Sequence, residues 1–170
     1  MTDEAFRQAA ETYADTIYRV ALHALNNRAD AEDVMQTVLL KLYQREEPFE
    51  SEAHRKHWLV RLAVNESRSI LRSVWRRRRT DLEELQNTPA PPDRAETELL
   101  QAVMALKPRY RLTVYLYYYE GCSVKEAAQA LGAKPSTVQT WLQRARAQLR
   151  AALSEEEEEG HGYVQSQIVL

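Results

Sequence analysis

A single proline-rich break divides an otherwise helix-patterned chain. Thr88-Pro-Ala-Pro-Pro-Asp93 cannot sustain a helix, because each proline removes an amide donor and clashes with the preceding turn. On both sides of it, apolar side chains recur at three- and four-residue spacing, the period of a helix with one buried stripe. With only 4 glycines in 170 residues, a turn-rich sandwich or barrel has too few turn formers. The expected fold is all-α: two small helical domains on a flexible proline-containing linker, with 1–79 as the first, 80–94 as linker, 95–153 as the second and 154–170 as an acidic, disordered tail.

In the first domain, Phe6, Ala10, Tyr13, Ile17, Val20 and Ala24 define a helix over 3–24. After a break at Asn26-Asn27-Arg28, Asp30 reads as the cap of a second helix and Asp33 as the acid of its capping box. That helix runs to about Arg45 on Val34, Val38, Leu39 and Leu42. Residues 46–57 are polar, contain Pro48 and read as loop or short irregular helix. The third helix spans roughly 56–76, with Trp58, Leu59, Leu62, Ala63, Ile70 and Val74 on its apolar side.

In the second domain, Leu99, Leu100, Val103, Met104 and Leu106 give a helix stopping near Pro108, and 109–120 gives the next. Val114-Tyr-Leu-Tyr-Tyr-Tyr119 has the propensity of a strand. No strand partner lies nearby, and Gly121 suits a helix end, so helix is preferred. Cys122 reads as a small core residue. Ser123 and Glu126 form a capping box. Gly132 opens a tight turn, and Ser136 caps a last helix to about Leu153 on Val138, Leu142, Ala145 and Leu149.

Several function classes fall away. The single Cys allows neither an internal disulfide nor a thiolate zinc site. No apolar run approaches a membrane span, and residues 1–14 are too polar for a secretory signal. A cytoplasmic protein is expected. Asp30 with Asp33, or His54 with His57, would be the only hints of a metal or catalytic centre. No phosphate loop or nucleophile constellation accompanies them, so no enzyme activity, metal or cofactor is expected.

The net charge of -2 hides a pattern. Residues 107–153 hold 8 basic and 2 acidic side chains, between acidic stretches at 80–106 and 154–170. Such a basic module attracts polyanions, and an acidic flank can mask it. The module contains Ser123-Val-Lys-Glu-Ala-Ala-Gln-Ala-Leu-Gly-Ala-Lys-Pro-Ser-Thr-Val-Gln-Thr-Trp-Leu142, a short helix, a glycine turn and a longer helix: the helix-turn-helix pattern. It leaves Ser136, Thr137, Gln139, Thr140, Gln143 and Arg144 on its exposed end and side, with Arg146 extending the positive face. These groups can reach phosphates or base edges in a major groove.

The first domain offers other surfaces. Asp30, Asp33 and Gln36 crowd the start of the second helix and Lys41 lies toward its end; helix capping and dipole complementarity would explain them without any partner. His57, Trp58, Arg61, Asn65, Arg68 and Arg72 follow the third helix and could contact nucleic acid through stacking, amides and charge. Trp58 serves equally well as plain core.

Taken together, Asp30-Ala-Glu-Asp-Val-Met-Gln-Thr-Val-Leu-Leu-Lys-Leu-Tyr43, Trp58-Leu-Val-Arg-Leu-Ala-Val-Asn65, Leu106-Lys-Pro-Arg-Tyr-Arg-Leu-Thr-Val-Tyr115 and residues 121–150 resemble a bacterial RNA polymerase sigma factor of the extracytoplasmic-function group, over about 5–153. The resemblance implies a protein that binds core polymerase, directs it to promoters and assists strand opening; the alternative is a stand-alone helix-turn-helix regulator. It implies that Asp30, Asp33, Gln36, Leu40 and Lys41 dock on the beta-prime clamp helices. Residues 46–55 with His57, Trp58, Arg61 and Asn65 would capture a flipped base of melted promoter DNA, with Arg68 and Arg72 on phosphates. Ser136, Thr137, Gln139, Thr140 and Gln143 would read the upstream double-stranded element, with Arg144 and Arg146 on its backbone, and the same module would touch the beta flap. An anti-sigma protein is a further partner the resemblance implies. Thr37 stands where an acidic residue is common, and Gln139-Thr140-Trp141 replaces the usual Lys-Ser-Arg, which implies weaker phosphate contact or altered sequence preference.

Overall fold

The computed structural model describes residues 1–80 and 98–159, with backbone only for 75–80 and 155–159. Among these residues every regular element is helical: α1 (Asp3–Leu25), α2 (Arg28–Gln44), α3 (Glu52–Thr80), α4 (Glu98–Ala105), α5 (Pro108–Val114), a π-helical turn (Tyr115–Tyr119), α6 (Val124–Leu131) and α7 (Pro135–Glu159).

The first three helices pack on one another, as their stripes predict. Thr2 caps α1 by accepting from the Ala5 amide at 3.3 Å. At the other end Asn26 adopts the left-handed conformation, φ 48°, and stops the helix. Asn27 is then already extended, and its side chain accepts the Asp30 amide at 3.0 Å. Asn27, not Asp30, is therefore the cap of α2. Asp30 lies inside the first turn and Asp33 is exposed on the helix surface.

The polar stretch after α2 is shorter than its composition suggests. Ser51 accepts the His54 amide on its hydroxyl at 3.1 Å and the Arg55 amide on its carbonyl at 3.0 Å, so α3 begins at Glu52 rather than near Lys56. Tyr13 donates to Glu52 at 2.7 Å and ties this start to α1. Val60 and Val64 are as buried as Leu59 and Ala63, which a single apolar stripe does not explain. A second stripe on α3 means a second partner, and that partner is α6.

The second module follows the expected order. Ser123 and Glu126 exchange both bonds of a capping box, at 3.1 and 2.8 Å, and Gly132 is left-handed, φ 62°. The strand alternative for residues 114–119 is not realised: the tyrosine run is helical and under-wound into a π turn, closed by the Glu120 amide on the Tyr115 carbonyl at 3.1 Å. α7 starts at Pro135, whose fixed φ and missing amide suit a first helical position, with the Val138 amide on the Lys134 carbonyl at 3.1 Å. Ser136 thus sits in the first turn instead of capping it. α7 also runs past Leu153 to Glu159. Glutamate is a good helix former, and like-charge repulsion on a solvated helix costs only tenths of a kcal/mol per pair.

The two modules also meet. A small cluster of Val103, Leu106, Tyr110, Val114, Ala145 and Leu149 belongs to the second module alone. The main cluster runs without a gap from Ala9 and Ile17 through Leu59 to Leu112, Tyr115, Leu116, Ala127 and Leu142. The two bundles therefore share a buried seam. The linker expected at 80–94 falls, after Thr80, outside the described residues, as does the tail from 160.

Candidate nucleic-acid interface

On α7 the buried and exposed faces separate cleanly. Val138, Leu142, Ala145 and Leu149 point inward. Ser136, Gln139 and Gln143 share the opposite, exposed face with Arg144, so short polar and amide groups front a basic helix open to a groove. Thr137 and Thr140 are half-buried at its edge, and the Thr140 hydroxyl donates to the Ser136 carbonyl at 3.1 Å. Arg146 is held back, donating to the Tyr118 hydroxyl at 2.9 Å. A hydrogen bond from Arg144 holds the Tyr110 phenol below its usual pKa, so both arginines are oriented by tyrosines of the same module. Sequence spacing gives no sign of either tether.

The start of α3 forms a second surface of different character. The Arg45 guanidinium lies 4.7 Å from the Phe49 ring centre and 5.1 Å from that of Trp58, and Arg55 covers Phe49 at 5.4 Å. Phe49 meets Trp58 edge-on at 5.5 Å. Trp58 is thus half-buried in a cage of cations and rings, neither pure core nor a free stacking platform. Arg45, Phe49 and Arg55 escape sequence reasoning, because only the fold of the loop brings them together.

The rest of this α3 face meets the other module. His57 Nε2 lies 3.4 Å from Glu126, and Lys56 lies 3.3 Å from Glu120. His57, Trp58 and Arg61 line a seam cavity of about 370 Å³ with Cys122, Glu126, Gln129 and Ala130. Arg68 comes up to the helix-turn-helix turn: a Cβ at Gly132 would stand 3.7 Å from its Nη1. Asn65 and Arg72 remain exposed. Burial raises the Cys122 thiol pKa, so it is a poor nucleophile.

The third surface is the outer face of α2. Asp33, Gln36 and Leu40 recur at three- and four-residue spacing and all are exposed, Leu40 to 55 %. A leucine left in water at the end of a row of acid and amide is not explained by helix capping. Asp30 is half-buried at the head of the same helix. Lys41 is engaged internally, paired with Glu66 of α3. Among the described residues no group of His, Cys, Asp and Glu could hold a metal ion, and no helix is long and apolar enough to cross a membrane.

Both modules match known family patterns. The family profile for Sigma-70 region 2 matches residues 9–77, and that for Sigma-70, region 4 matches residues 96–149. The RNA polymerase sigma-E factor of Streptomyces coelicolor is 30% identical over 155 residues, spanning 87% of this chain and 85% of that protein. The RNA polymerase sigma-E factor of Streptomyces antibioticus is 32% identical over 157 residues, spanning 87% and 84%. In fold, the chain is similar to the sigma factor RpoE from Bartonella quintana, solved in complex with the anti-sigma factor NepR, with a TM-score of 0.75 at 23% identity over 89% of this chain and 98% of that one. It is also similar to CnrH, solved with the cytosolic domain of CnrY, with a TM-score of 0.60 at 21% identity over 91% and 90%.

Proposed function

The chain belongs to the sigma-70 family, a sigma factor that binds core RNA polymerase, directs it to specific promoters and assists strand opening, and we propose that it divides these tasks among the three surfaces described above. Asp33, Gln36 and exposed Leu40 dock on the beta-prime clamp helices, with Asp30 at the edge and Lys41 holding α2 in register through Glu66. The caged loop before α3, with His57, Trp58, Arg61 and Asn65, receives a flipped base of melted DNA, and Arg68 and Arg72 take phosphates. Ser136, Thr137, Gln139, Thr140 and Gln143 read the upstream element, Arg144 and Arg146 contact its backbone, and this module meets the beta flap.

The observation that carries this reading is the pairing of two independent exposed faces. One is an α2 stripe with an unpartnered leucine, and the other is an α7 face of amides beside arginine. Two weak modules on one chain raise each other's effective concentration once polymerase holds both. Binding an extruded base shifts the opening equilibrium, since strand separation costs only a few kcal/mol per base step. No covalent step falls to this chain; polymerase performs the chemistry in its own cytoplasmic setting. Binding by an anti-sigma factor, named for the fold relative from Bartonella quintana, fits the same surfaces.

The test separates the faces. Asp33→Ala with Gln36→Ala should abolish capture by core polymerase while leaving the isolated chain folded. Gln139→Ala with Gln143→Ala should leave capture intact and scramble which promoters are used. One shared defect from both pairs would refute the division.

A further inference from the structure

The reading end of α7 carries no charged side chain. From Pro135 to Gln143 every residue is uncharged, so grip on a polyanion falls to the arginines that follow. These sit at the ends of two rows. Thr137, Thr140 and Arg144 recur at three- and four-residue spacing, and so do Gln139, Gln143 and Arg146. Each row therefore ends in one guanidinium.

Both guanidiniums are held from a single row on the neighbouring helix. Tyr110 and Val114 of α5 and Tyr118 of the π turn follow one another at four-residue steps, and all three pack on the cluster that holds Ala145 and Leu149 of α7. A four-residue step overshoots an α turn by about 40°, and the wider winding of the π turn takes up that drift. The Tyr118 hydroxyl accepts from Arg146 Nη1 at 2.9 Å, and the Tyr110 phenol is hydrogen-bonded to Arg144. The rings are themselves fixed. Tyr110 is buried, with the Arg109 guanidinium 5.2 Å from its ring centre, and Tyr118 meets Tyr117 edge-on at 4.9 Å. The two tyrosines stand roughly 12 Å apart along their helix, whereas Arg144 and Arg146 are two positions apart on α7. The tethers therefore splay the two side chains.

Neither bond neutralises its arginine. A neutral phenol leaves the positive charge intact, where a carboxylate would cancel it, and a guanidinium has more donors than one oxygen can accept. What a tether removes is rotamer freedom. An arginine already extended in one direction loses less on meeting a phosphate than one that is free.

We propose that Tyr110 and Tyr118 are positioning residues for the upstream duplex, holding Arg144 and Arg146 in fixed, still cationic poses that meet backbone phosphates without further ordering. This rests on the reading of α7 as the duplex-binding helix and of the two arginines as its backbone contacts. Affinity then rises through preorganisation and not through added charge, and salt separates the two. Each phosphate neutralised steepens the fall of log affinity with log salt by about 0.9; a tether does not change it.

The test uses the full-length chain on core polymerase, titrated over a salt series onto promoter DNA taken from its own mapped start sites. Tyr110→Phe and Tyr118→Phe each delete one oxygen and keep the packed ring. Each should weaken binding about fivefold at every salt concentration, with the slope unaltered. Arg144→Ala and Arg146→Ala should each lower the slope by about one. Added to Arg146→Ala, Tyr118→Phe should cost nothing more; added to Arg144→Ala, it should cost its full fivefold, and Tyr110→Phe should behave in the mirror-image way. A tyrosine that merely supported the fold would cost the same in every background. The inference is overturned if the phenylalanine variants bind as tightly as the parent, or if their loss persists once the partner arginine is gone. Arginine variants with unchanged affinity and slope would instead remove the backbone-contact reading of α7, and the inference with it.

Discussion

α3 and α7 are both long, arginine-bearing helices, and they are used in opposite ways. α7 buries one face in its own module and shows the other, with Gln139 and Gln143, to solvent. α3 buries one stripe against α1 and α2 and turns a second, through Val60 and Val64, toward α6. The contrast teaches that a basic helix with polar spacing is not by itself an available surface. Availability depends on whether a second apolar stripe recruits a cover, and on how strongly the margins of that cover are pinned.

The sharpest way to break the contrast is to remove the pin. Arg111 donates to the His23, Ala24, Met104 and Leu106 carbonyls, so Arg111→Ala leaves up to four carbonyls without that donor at the seam and should lower unfolding stability in urea by about 4 kcal/mol. Paired dyes on the two modules should report separation at denaturant concentrations where the native chain is still closed. An unchanged midpoint would mean that Arg111 is dispensable to the seam.

Acid should act next. His23 is buried and stacks on Tyr115 at 4.2 Å, with Tyr119, Arg19 and Arg111 around it. Its Nδ1 donates to the Arg19 carbonyl at 2.8 Å, since a carbonyl can only accept. Burial pushes its pKa down from 6.5 to about 4. The unfolded chain therefore takes up a proton that the folded chain refuses between these values. Stability contributed by neutral His23 is complete above pH 6.5, falls as pH drops toward 4 and levels off below it, a loss of about 3 kcal/mol. His23→Gln should flatten that part of the pH profile measured by thermal unfolding.

Two smaller changes sharpen the α7 side. Gln139→Ala with Gln143→Ala should cost about 2 kcal/mol in discrimination between promoters, read as relative run-off yields, with stability unaltered. Gly132→Ala meets only an ordinary contact at 3.7 Å, so its cost is the positive φ, about 1 kcal/mol in a urea midpoint. Deleting residues 155–170 should do least, raising DNA affinity about threefold at low salt and not at all at high salt, because charge masking is screened. Unchanged affinity at low salt would dispose of the shielding role.

Much of this was legible in the chain itself, for reasons of range. Helix periods, the Ser123–Glu126 box, the left-handed Gly132 and the buried stripe of α7 depend on residues within a few positions of one another. So does the exposed face of Gln139 and Gln143. The Asn27 cap was misplaced by three residues because Asp30 and Asn27 are equally good acceptors, and only the sharp stop at Asn26 decides between them. The π turn could not be read, because tyrosine propensity favours strand and helix alike. The Arg111 staple spans 88 residues and had no signal at all: carbonyl partners are present in every residue type. The double stripe on α3 was visible as Val60 and Val64 beside Leu59 and Ala63, but a second stripe does not say which element covers it.

Transcription with purified bacterial core polymerase on fragmented genomic DNA, with the start sites mapped, addresses the assignment itself most directly. Full-length protein should produce a discrete set of starts absent with core alone, and the Asp33→Ala, Gln36→Ala variant should produce none. Starts that are the same with and without the protein, or protein that binds those promoters with equal specificity in the absence of polymerase, would contradict it.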